Sequence, residues 1–422
     1  MSKAVAGAPY TVVTGDHLSG IAAQAYGNGR KWPLIWKANQ STLRSGDSDL
    51  IFPGEIINIP VDPEQVALEN EITRLTADDL KGKDKDDFTF EMDGNEIAIE
   101  SGTLIRTMDT AADGFTVVLQ WDPTDDFLYE LFRPYQYRPV KCYLGGKRVF
   151  TGIAYKTTPS IGDNGAKMTI SGATATADIV DSTMRPPYES KKITLKDRAA
   201  ELLEPLGIPV VYDFDDTEIF SKVTADPTDK ILGHLGDLSR QRGVLISSSR
   251  LGELVMYRAS TDGQPVGTLE EGRPPVRDLE SEFDGRARYN SYKAIANSSN
   301  KKRKTAIAKD NNVPKSRFMT FSAEDSTAGN IQTAADWRRS KQLAKSLTLD
   351  IPVDSWYDPN DELWEENTLV TLVSRSLYIP DGFDFSIQRV EYGFSDQGTP
   401  SVLSLIPPQA YTGEELVEPW LQ

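Results

Sequence analysis

Residues 139–181 constrain the fold more than any other stretch, because apolar and polar residues alternate there through three successive runs. The first run ends at the pair Gly145-Gly146. The second ends at a polar tip, residues 162–165. Alternation with a period of two, bounded by glycine and Asn-Gly signals, is typical of antiparallel strands with one buried face. The stretch predicts the centre of a β-barrel domain, and its residues show no catalytic pattern.

The composition predicts a packed globular protein of several domains. The chain has 422 residues, of which 39% are hydrophobic and 26% are charged, and about one domain is expected per ~150 residues. The formal net charge is −17. Because contacts with nucleic acid need Lys and Arg to neutralise phosphates, this charge argues against sequence-specific nucleic-acid binding, and also against an anionic membrane surface.

The supply of metal-binding and nucleophilic side chains is small. Cys142 is the single cysteine, and His17 and His234 are the two histidines. One cysteine excludes an intramolecular disulfide and a cysteine zinc site. Its place in an alternating strand indicates a buried apolar role. We therefore expect no cofactor and no metal.

No run of residues approaches the length of a membrane span. The first ten residues lack the apolar core of a signal peptide, and no stretch reaches ~18 apolar residues. The sequence thus predicts no membrane span and synthesis in a bacterial host cytoplasm.

Residues 10–60 predict a small βααβ unit. A strand starts at Tyr10, and a helix capped by Asp16 follows and stops at Gly27. A second helix starts near Arg30, and the last strand ends at Pro60.

This unit resembles the LysM family. The matching motifs are Tyr10-Thr11-Val12, residues 15–22, Tyr26-Gly27, Trp32-Pro33, residues 36–39, residues 50–54 and residues 57–60. LysM domains bind glycans that contain N-acetylglucosamine, such as peptidoglycan. The resemblance implies a shallow groove with one wall at Gly15, Asp16, His17 and Leu18 and the other at Leu50, Ile51, Phe52 and Pro53. The groove could bind glycan, or it could be a protein docking surface or only close the core of the unit.

The chain as a whole predicts an α+β multidomain protein. The expected order is a LysM domain, two tube-like β-barrel domains and an α+β insertion between them. The predicted boundaries are 1–62 for the LysM domain, 63–87 for a charged linker, 88–181 for the first barrel, 182–290 for the α+β domain, 291–410 for the second barrel and 411–422 for a tail.

Residues 88–408 are similar to the baseplate hub proteins of contractile-tailed bacteriophages, the Mu-type and late-control-D family. The similarity lies in the order of the parts and in local motifs at residues 143–153, 206–210, 238–246, 367–372, 385–391 and 398–400. Members are non-enzymatic homotrimers whose six tube-like domains adapt the six-fold tail tube to the three-fold spike. The resemblance therefore implies a virion protein of the tail baseplate. Its partners would be the tail tube protein, the central spike protein and baseplate wedge or tape-measure proteins, with peptidoglycan as a further candidate.

The alternative is a peptidoglycan-binding or cell-wall-degrading protein that acts outside a tail particle. Such an enzyme needs a catalytic glutamate in a helical cleft, a Cys–His pair or zinc ligands. The acidic pairs in this sequence, Asp125-Asp126, Asp215-Asp216 and Glu365-Glu366 among them, are typical of solvated turns. The basic residues Lys301 to Lys304 lack the interleaved aromatic residues of single-strand binders. The sequence favours the structural hub.

Overall fold

The computed structural model describes residues 4, 9–26, 31–40, 42–45, 47, 50–60, 84–162, 165–259, 263–277, 279–296, 304–323 and 328–411. The chain divides into two compact units, Met1–Gly82 and Lys83–Gln422, and each has its own core. Most of the predicted linker (63–83), the basic residues 301–303 and most of the predicted tail (412–422) lie outside the described residues.

The N-terminal unit is a two-stranded sheet covered by two helices. Strand β1, Pro9–Thr11, pairs antiparallel with β2, Ile56–Asn58. Helices α1, Leu18–Tyr26, and α2, Trp32–Asn39, lie between them in the sequence. The buried side chains Ile21, Ile35 and Ile57 form the centre of the core. This is the βααβ order that the sequence predicts.

The second unit begins with seven strands and one short helix. The strands are β3 Phe88–Met92, β4 Asn95–Ile97, β5 Ser101–Thr107, β6 Gly114–Gln120, β7 Pro139–Leu144, β8 Lys147–Gly162 and β9 Gly165–Thr174, and the helix is α3 Asp126–Leu131. The strands pair in the order β5-β6-β9-β8-β7-β3-β4. Asp125 caps α3, because its side chain accepts hydrogen bonds from the amides of Phe127 and Leu128.

An α+β module follows, built from two small sheets and three helices. The elements are α4 Ala177–Asp181, β10 Glu189–Ile193, α5 Leu195–Leu203, β11 Val210–Asp213, β12 Phe220–Thr224, α6 Ile231–Gln241, β13 Leu245–Ser248 and β14 Leu254–Tyr257. Strand β10 pairs with β12, and β14 pairs with both β11 and β13. Leucines and isoleucines of α5 and α6 pack against these sheets in one core.

Nine further strands and one long helix complete the unit. They are β15 Thr268–Glu270, β16 Glu280–Glu282, β17 Ser291–Ala296, β18 Thr305–Lys309, β19 Phe318–Ala323, α7 Ala328–Lys345, β20 Thr348–Val353, β21 Leu369–Ser374, β22 Ile379–Phe394 and β23 Ser401–Ile406. Six of the strands form a second β module, in the order β16-β20-β23-β22-β21-β15.

The strand pairing divides this half of the chain differently from the predicted ranges 182–290 and 291–410. Strands β15 and β16, expected in the α+β domain, belong to the second β module. Strands β17, β18 and β19, expected in the second barrel, form a separate sheet. That sheet packs on Ile331 and Ala335 of α7 in a core of its own. Alternation in the sequence indicates a strand but not its partner, because pairing is decided over long distances along the chain.

The two β modules repeat one strand arrangement. Strands β7-β8-β9 and β21-β22-β23 are meanders with a first strand of six residues and a middle strand of sixteen. A β-bulge interrupts each middle strand's pairing with the last strand, after Ala154 in one meander and after Ile387 in the other. A second irregularity lies near the turn between the first two strands of each meander. Both modules therefore bend at corresponding places.

The modules are joined edge to edge into a single sheet of thirteen strands. The C-terminal part of β22 pairs antiparallel with β5, from Arg389 opposite Thr107 to Phe394 opposite Gly102. At its end, the ring of Phe394 lies 5.8 Å from that of Phe88. None of the described helices has the length and hydropathy needed to cross a membrane.

Replacement of Gly172 by alanine tests the packing of the long hairpin β8–β9. A Cβ atom at Gly172 would lie 2.0 Å from the carbonyl oxygen of Ile153, a backbone atom of the paired strand. We expect Gly172→Ala to lower the free energy of unfolding by roughly 1–3 kcal/mol, the usual cost of overpacking. Urea denaturation measures the change.

The matched control is Gly162→Ala in the same hairpin. A Cβ atom at Gly162 meets no heavy atom within 4 Å, so this variant should unfold at nearly the wild-type urea concentration. Equal destabilisation by the two substitutions would contradict the close strand contact at Gly172.

Candidate functional site

Two similar tight turns form the walls of the predicted groove in the N-terminal unit. In the first, the amide of Asp16 donates to the carbonyl of Val13 at 3.1 Å, and Gly15 has φ +97°. In the second, the amide of Glu55 donates to the carbonyl of Phe52 at 3.1 Å, and Gly54 has φ +88°. A positive φ at the third position of such a turn favours glycine.

Val12 holds the two turns side by side. Its amide donates to the Glu55 carbonyl at 2.8 Å, and its carbonyl accepts from the Gly54 amide at 2.8 Å. The turns therefore lie at the same end of the β1–β2 sheet.

Two buried or half-buried carboxylates fix the conformation of these walls. Asp16 accepts hydrogen bonds from the Val13 amide at 2.8 Å and from the Tyr10 hydroxyl at 3.0 Å. Glu55 accepts from the amides of Phe52 at 2.7 Å and Arg44 at 2.8 Å. The hydrogen bond from the Phe52 amide, followed by that from the Arg44 amide, lowers the pKa of Glu55. The role of Glu55 was missed from the sequence, although an acidic residue directly after Pro53-Gly54 could have indicated it.

The structure corrects the expected roles of two groove residues. Leu18 is only 3% exposed and packs in the core, so its side chain cannot line the groove. Asp16 is not the residue directly before α1, which begins at Leu18, and its carboxylate closes the preceding turn. Gly15, His17, Leu50, Phe52 and Pro53 are exposed, and Ile51 is half-buried against the core. The exposed residues of the predicted walls are thus Gly15 and His17 on one side and Leu50, Phe52 and Pro53 on the other.

A second constellation, which the sequence did not reveal, lies in the larger unit. It includes Glu366, which the sequence predicted to be a solvated turn residue, whereas its side chain is only 18% exposed and pairs with Arg106. We call Arg106, Asp113 and Glu366 the ionic joint. The Arg106 guanidinium lies 3.1 Å from the Asp113 carboxylate and 2.5 Å from the Glu366 carboxylate. It also donates to the carbonyl of Ser248 at 3.0 Å, and the Ser248 hydroxyl donates to Asp113 at 2.8 Å.

The ionic joint connects three parts of the unit. Arg106 lies on β5, Ser248 ends β13 of the α+β module, and Glu366 precedes β21. Neighbouring hydrogen bonds reinforce the connection, from the Ser247 hydroxyl to the Thr107 carbonyl at 2.7 Å and from the Tyr257 hydroxyl to the Met108 carbonyl at 2.6 Å. The end of β5 and the segment that follows it are thus bonded to the α+β module and to the segment before β21.

The ionic joint has one more acidic group than basic groups, because the buried Arg106 faces the carboxyl groups of both Asp113 and Glu366. Burial raises the pKa of Asp113 to about 7, although Arg106 opposes this shift. Burial also disfavours the charged form of Glu366, but the charge of Arg106 and its hydrogen bond lower the pKa of that carboxyl. Glu366 is therefore ionised at neutral pH, and Asp113 takes up a proton far more readily than an exposed aspartate.

Cys142 and His234, which the sequence analysis considered for metal or acid–base chemistry, are buried side chains in the structure. Cys142 is fully buried, and burial raises its pKa. His234 is packed beside Arg198, whose Nε lies 3.3 Å from the His234 Nε2 atom. Burial, together with the Arg198 charge, lowers the pKa of His234 to about 4. The described part of the chain contains no cluster of three or more His, Cys, Asp or Glu side chains able to hold a metal ion.

Comparison with known proteins identifies the class of the fold and its domains. Three family models match: the LysM domain at residues 10–60, the second domain of gp44-like baseplate hub proteins at 176–258, and the fourth domain of the Mu phage baseplate assembly protein GpP at 327–414. The fold is similar to that of two solved tail proteins, which establishes the fold alone.

The two solved structures cover most of the chain. The 43 kDa tail protein of prophage MuSo2 from Shewanella oneidensis gives a TM-score of 0.66 at 23% identity, with 76% of this chain and 98% of that one covered. The tail protein from Neisseria meningitidis MC58 gives a TM-score of 0.67 at 20% identity, with 77% and 98% covered.

A curated relative gives a more specific assignment. The baseplate hub protein gp44 of Escherichia phage Mu is 28% identical over 286 residues, which are 64% of this chain and 74% of that protein. The chain is a homologue of this Mu baseplate hub protein and has a LysM domain at its N-terminus.

The ionic joint predicts a dependence of stability on pH. The Asp113 pKa is raised in the folded state from an ordinary value near 4, so folding takes up a proton. The stabilisation that comes from this proton uptake is fully present below about pH 4 and is lost as the pH rises to about 7. Over this range the free energy of unfolding falls by at most ~1.4 kcal/mol per pH unit. The Asp113→Asn variant cannot titrate there. Wild type should therefore lose stability relative to this variant between pH 4 and pH 8.

Urea denaturation of both proteins at several pH values measures the difference. The exposed Asp126→Asn is the control for an aspartate-to-asparagine change at the surface. If the Asp113→Asn and wild-type stabilities followed parallel pH curves, Asp113 would not have a raised pKa in the folded protein.

Proposed function

We propose that the protein is the structural hub of a contractile phage tail baseplate or a related injection machine. In this role it is a homotrimer in the virion tail, assembled in the bacterial host cytoplasm. It adapts the six-fold tail tube to the three-fold spike and acts through shape, not through catalysis. Its neighbours are the tail tube protein, the central spike protein and baseplate wedge or tape-measure proteins.

The observation that carries this proposal is the repeat of one strand arrangement in the two β modules. Three copies of a chain with two similar modules supply six similar units, which match a six-fold ring on one side. The same trimer presents three-fold symmetry on the other side. The homology to the Mu baseplate hub protein supports this interpretation.

The shared sheet and the ionic joint suit such an adaptor. The two modules are bonded strand to strand through β22 and β5, so their relative orientation is fixed within each copy. The net charge of −17 suits a lumen through which DNA passes without binding, because like charges repel.

The size of the purified protein in solution tests the trimer. Sedimentation equilibrium or native mass spectrometry should give three times the chain mass of 46.7 kDa. A peptidoglycan zymogram of the same sample should show no clearing. A monomer that clears peptidoglycan would contradict the proposed hub and favour the wall-degrading alternative.

The LysM groove is proposed as the docking site of the N-terminal unit, with peptidoglycan or a baseplate neighbour as its ligand. Exposed apolar side chains such as Leu50 (48% exposed) and Phe52 (38% exposed) can cover a sugar face. The exposed backbone of the two glycine turns allows close approach of acetamido groups.

A pull-down with purified peptidoglycan tests the groove directly. If the ligand is glycan, Phe52→Ala should weaken retention about tenfold, the usual loss for a central aromatic contact. Ile56→Ala is the matched control, because Ile56 is 70% exposed on β2 and lies outside the proposed walls. Absence of retention in the wild type, or equal loss in both variants, would exclude glycan binding by this groove.

A further inference from the structure

The in-chain junction between the β modules uses a split strand. The first half of β22 pairs with β21, and its second half leaves β21 and pairs with β5. At the end of this second half, Phe394 is covered by the first module, where its ring lies near Phe88. One module therefore binds the other by extending its middle strand along a free edge.

The bulges allow the two modules to be aligned residue by residue. Ala154 pairs with Gly172 before the bulge in β8, and Ile387 pairs with Leu405 before the bulge in β22. Beyond the bulges, Lys156 corresponds to Arg389. Strand β8 is thus the counterpart of β22, and β9 is the counterpart of β23.

The same alignment identifies the counterpart of β5. Gly172 pairs with Phe115 of β6, and Leu405 pairs with Leu349 of β20. One strand further, Ile105 of β5 lies opposite Gly114 of β6, and Glu282 of β16 lies opposite Thr348 of β20. Strand β16 therefore takes the place in the second module that β5 takes in the first.

The counterparts of β22 and β5 are β8 and β16, and these two strands do not pair with each other within a single copy. Among the described residues, β8 pairs with β7 only as far as Ile153, and its outer half pairs only with β9. Strand β16 is the end strand of its sheet and pairs with β20. Ile161, the counterpart of Phe394, is 81% exposed. Strand edges of this kind are free to pair with another chain.

We propose that the outer half of β8 in one copy pairs antiparallel with β16 of a second copy, in the register that β22 and β5 use within the chain. Thr158 then lies opposite Glu282 of the second copy, and Ser160 lies opposite Glu280. This pairing covers Ile161 and repeats head to tail, so three copies close a ring in which all six module junctions are alike.

Pro159 weakens this edge for indiscriminate pairing with other strands. The Ala154 amide donates to the carbonyl of Arg138, on the β7 side, at 2.9 Å. Alternation beyond the bulge turns the backbone N–H and C=O groups of residues 157, 159 and 161 toward the same side. Pro159 lacks the N–H group there but keeps its carbonyl as an acceptor. The edge loses one donor, which disfavours indiscriminate strand addition.

Disulfide trapping in the full-length chain tests the register. Within the chain, the Gly393 amide points toward β23 and donates to the carbonyl of Pro400 at 2.8 Å. Because Glu391 lies two residues earlier on the same strand, its backbone N–H and C=O groups also point away from β5. Its counterpart pair, Thr158 and Glu282, is thus a non-hydrogen-bonded pair, with Cα atoms expected ~4.5 Å apart. That distance lies within the range of a disulfide bond. Thr158→Cys with Glu282→Cys should link copies into covalent dimers and trimers under mild oxidation.

The mismatched pair Thr158→Cys with Glu280→Cys is the control. Its positions are two residues out of register, at roughly 7–8 Å, which a disulfide spans poorly. The matched pair should give several-fold more linked product on a non-reducing gel. Cys142 is buried and is present in every variant.

The inference rests on the trimeric hub, and the outcomes separate the two. Sedimentation of each variant before oxidation reports the number of copies. A trimer in which the matched pair fails to link, or links no better than the mismatched pair, overturns the strand pairing and leaves the hub standing. A monomer without links overturns both.

Discussion

The pairing of β5 with β22 is the interaction on which the rest of the larger unit depends. It joins residues 102–107 to residues 389–394, almost three hundred positions apart in the sequence. This ladder merges two β modules into one sheet, and the modules share a single hydrophobic core. The ionic joint lies beside it, since Arg106 is on β5 itself. A buried charge of this kind costs free energy unless it is paired, so the α+β module and the segment before β21 must keep their positions for Arg106 to remain satisfied.

In the proposed trimer, the repeated meander lets one chain serve a six-fold and a three-fold partner. Each module has a sixteen-residue strand with a bulge at a corresponding place, and in β22 the part after the bulge is the part that binds the other module. The α+β module and the separate sheet on α7 have no such repeat. They occur once per copy, so in a trimer they give three-fold features, whereas the β modules give six. The division between repeated and unrepeated parts thus matches the two symmetries of the proposed hub.

Local signals in the sequence predicted the elements well and their partners less well. The βααβ unit and the strands of the first β module follow from alternation, glycine turns and helix stops. The assignment of β17–β19 to a separate sheet did not follow, because alternation gives the buried face of a strand but not its neighbour. Leu18 was placed in the groove by resemblance, although a leucine at the first turn of an amphipathic helix commonly faces the core. The ionic joint was also missed. Its one sequence signal is Arg106 itself, which occupies an inward position of β5, between Leu104 and Met108.

Native-state hydrogen exchange of the β5–β22 ladder tests the central claim that the two β modules form one rigid body. The amides of residues 102–107 and 389–394 that bond across the ladder should be among the slowest to exchange, and they should open only when the whole unit unfolds. The α+β module should exchange through openings of lower free energy. Exchange of the ladder at a lower free energy than the interior strands of each β module would show that the modules separate in the folded protein, and would contradict the claim.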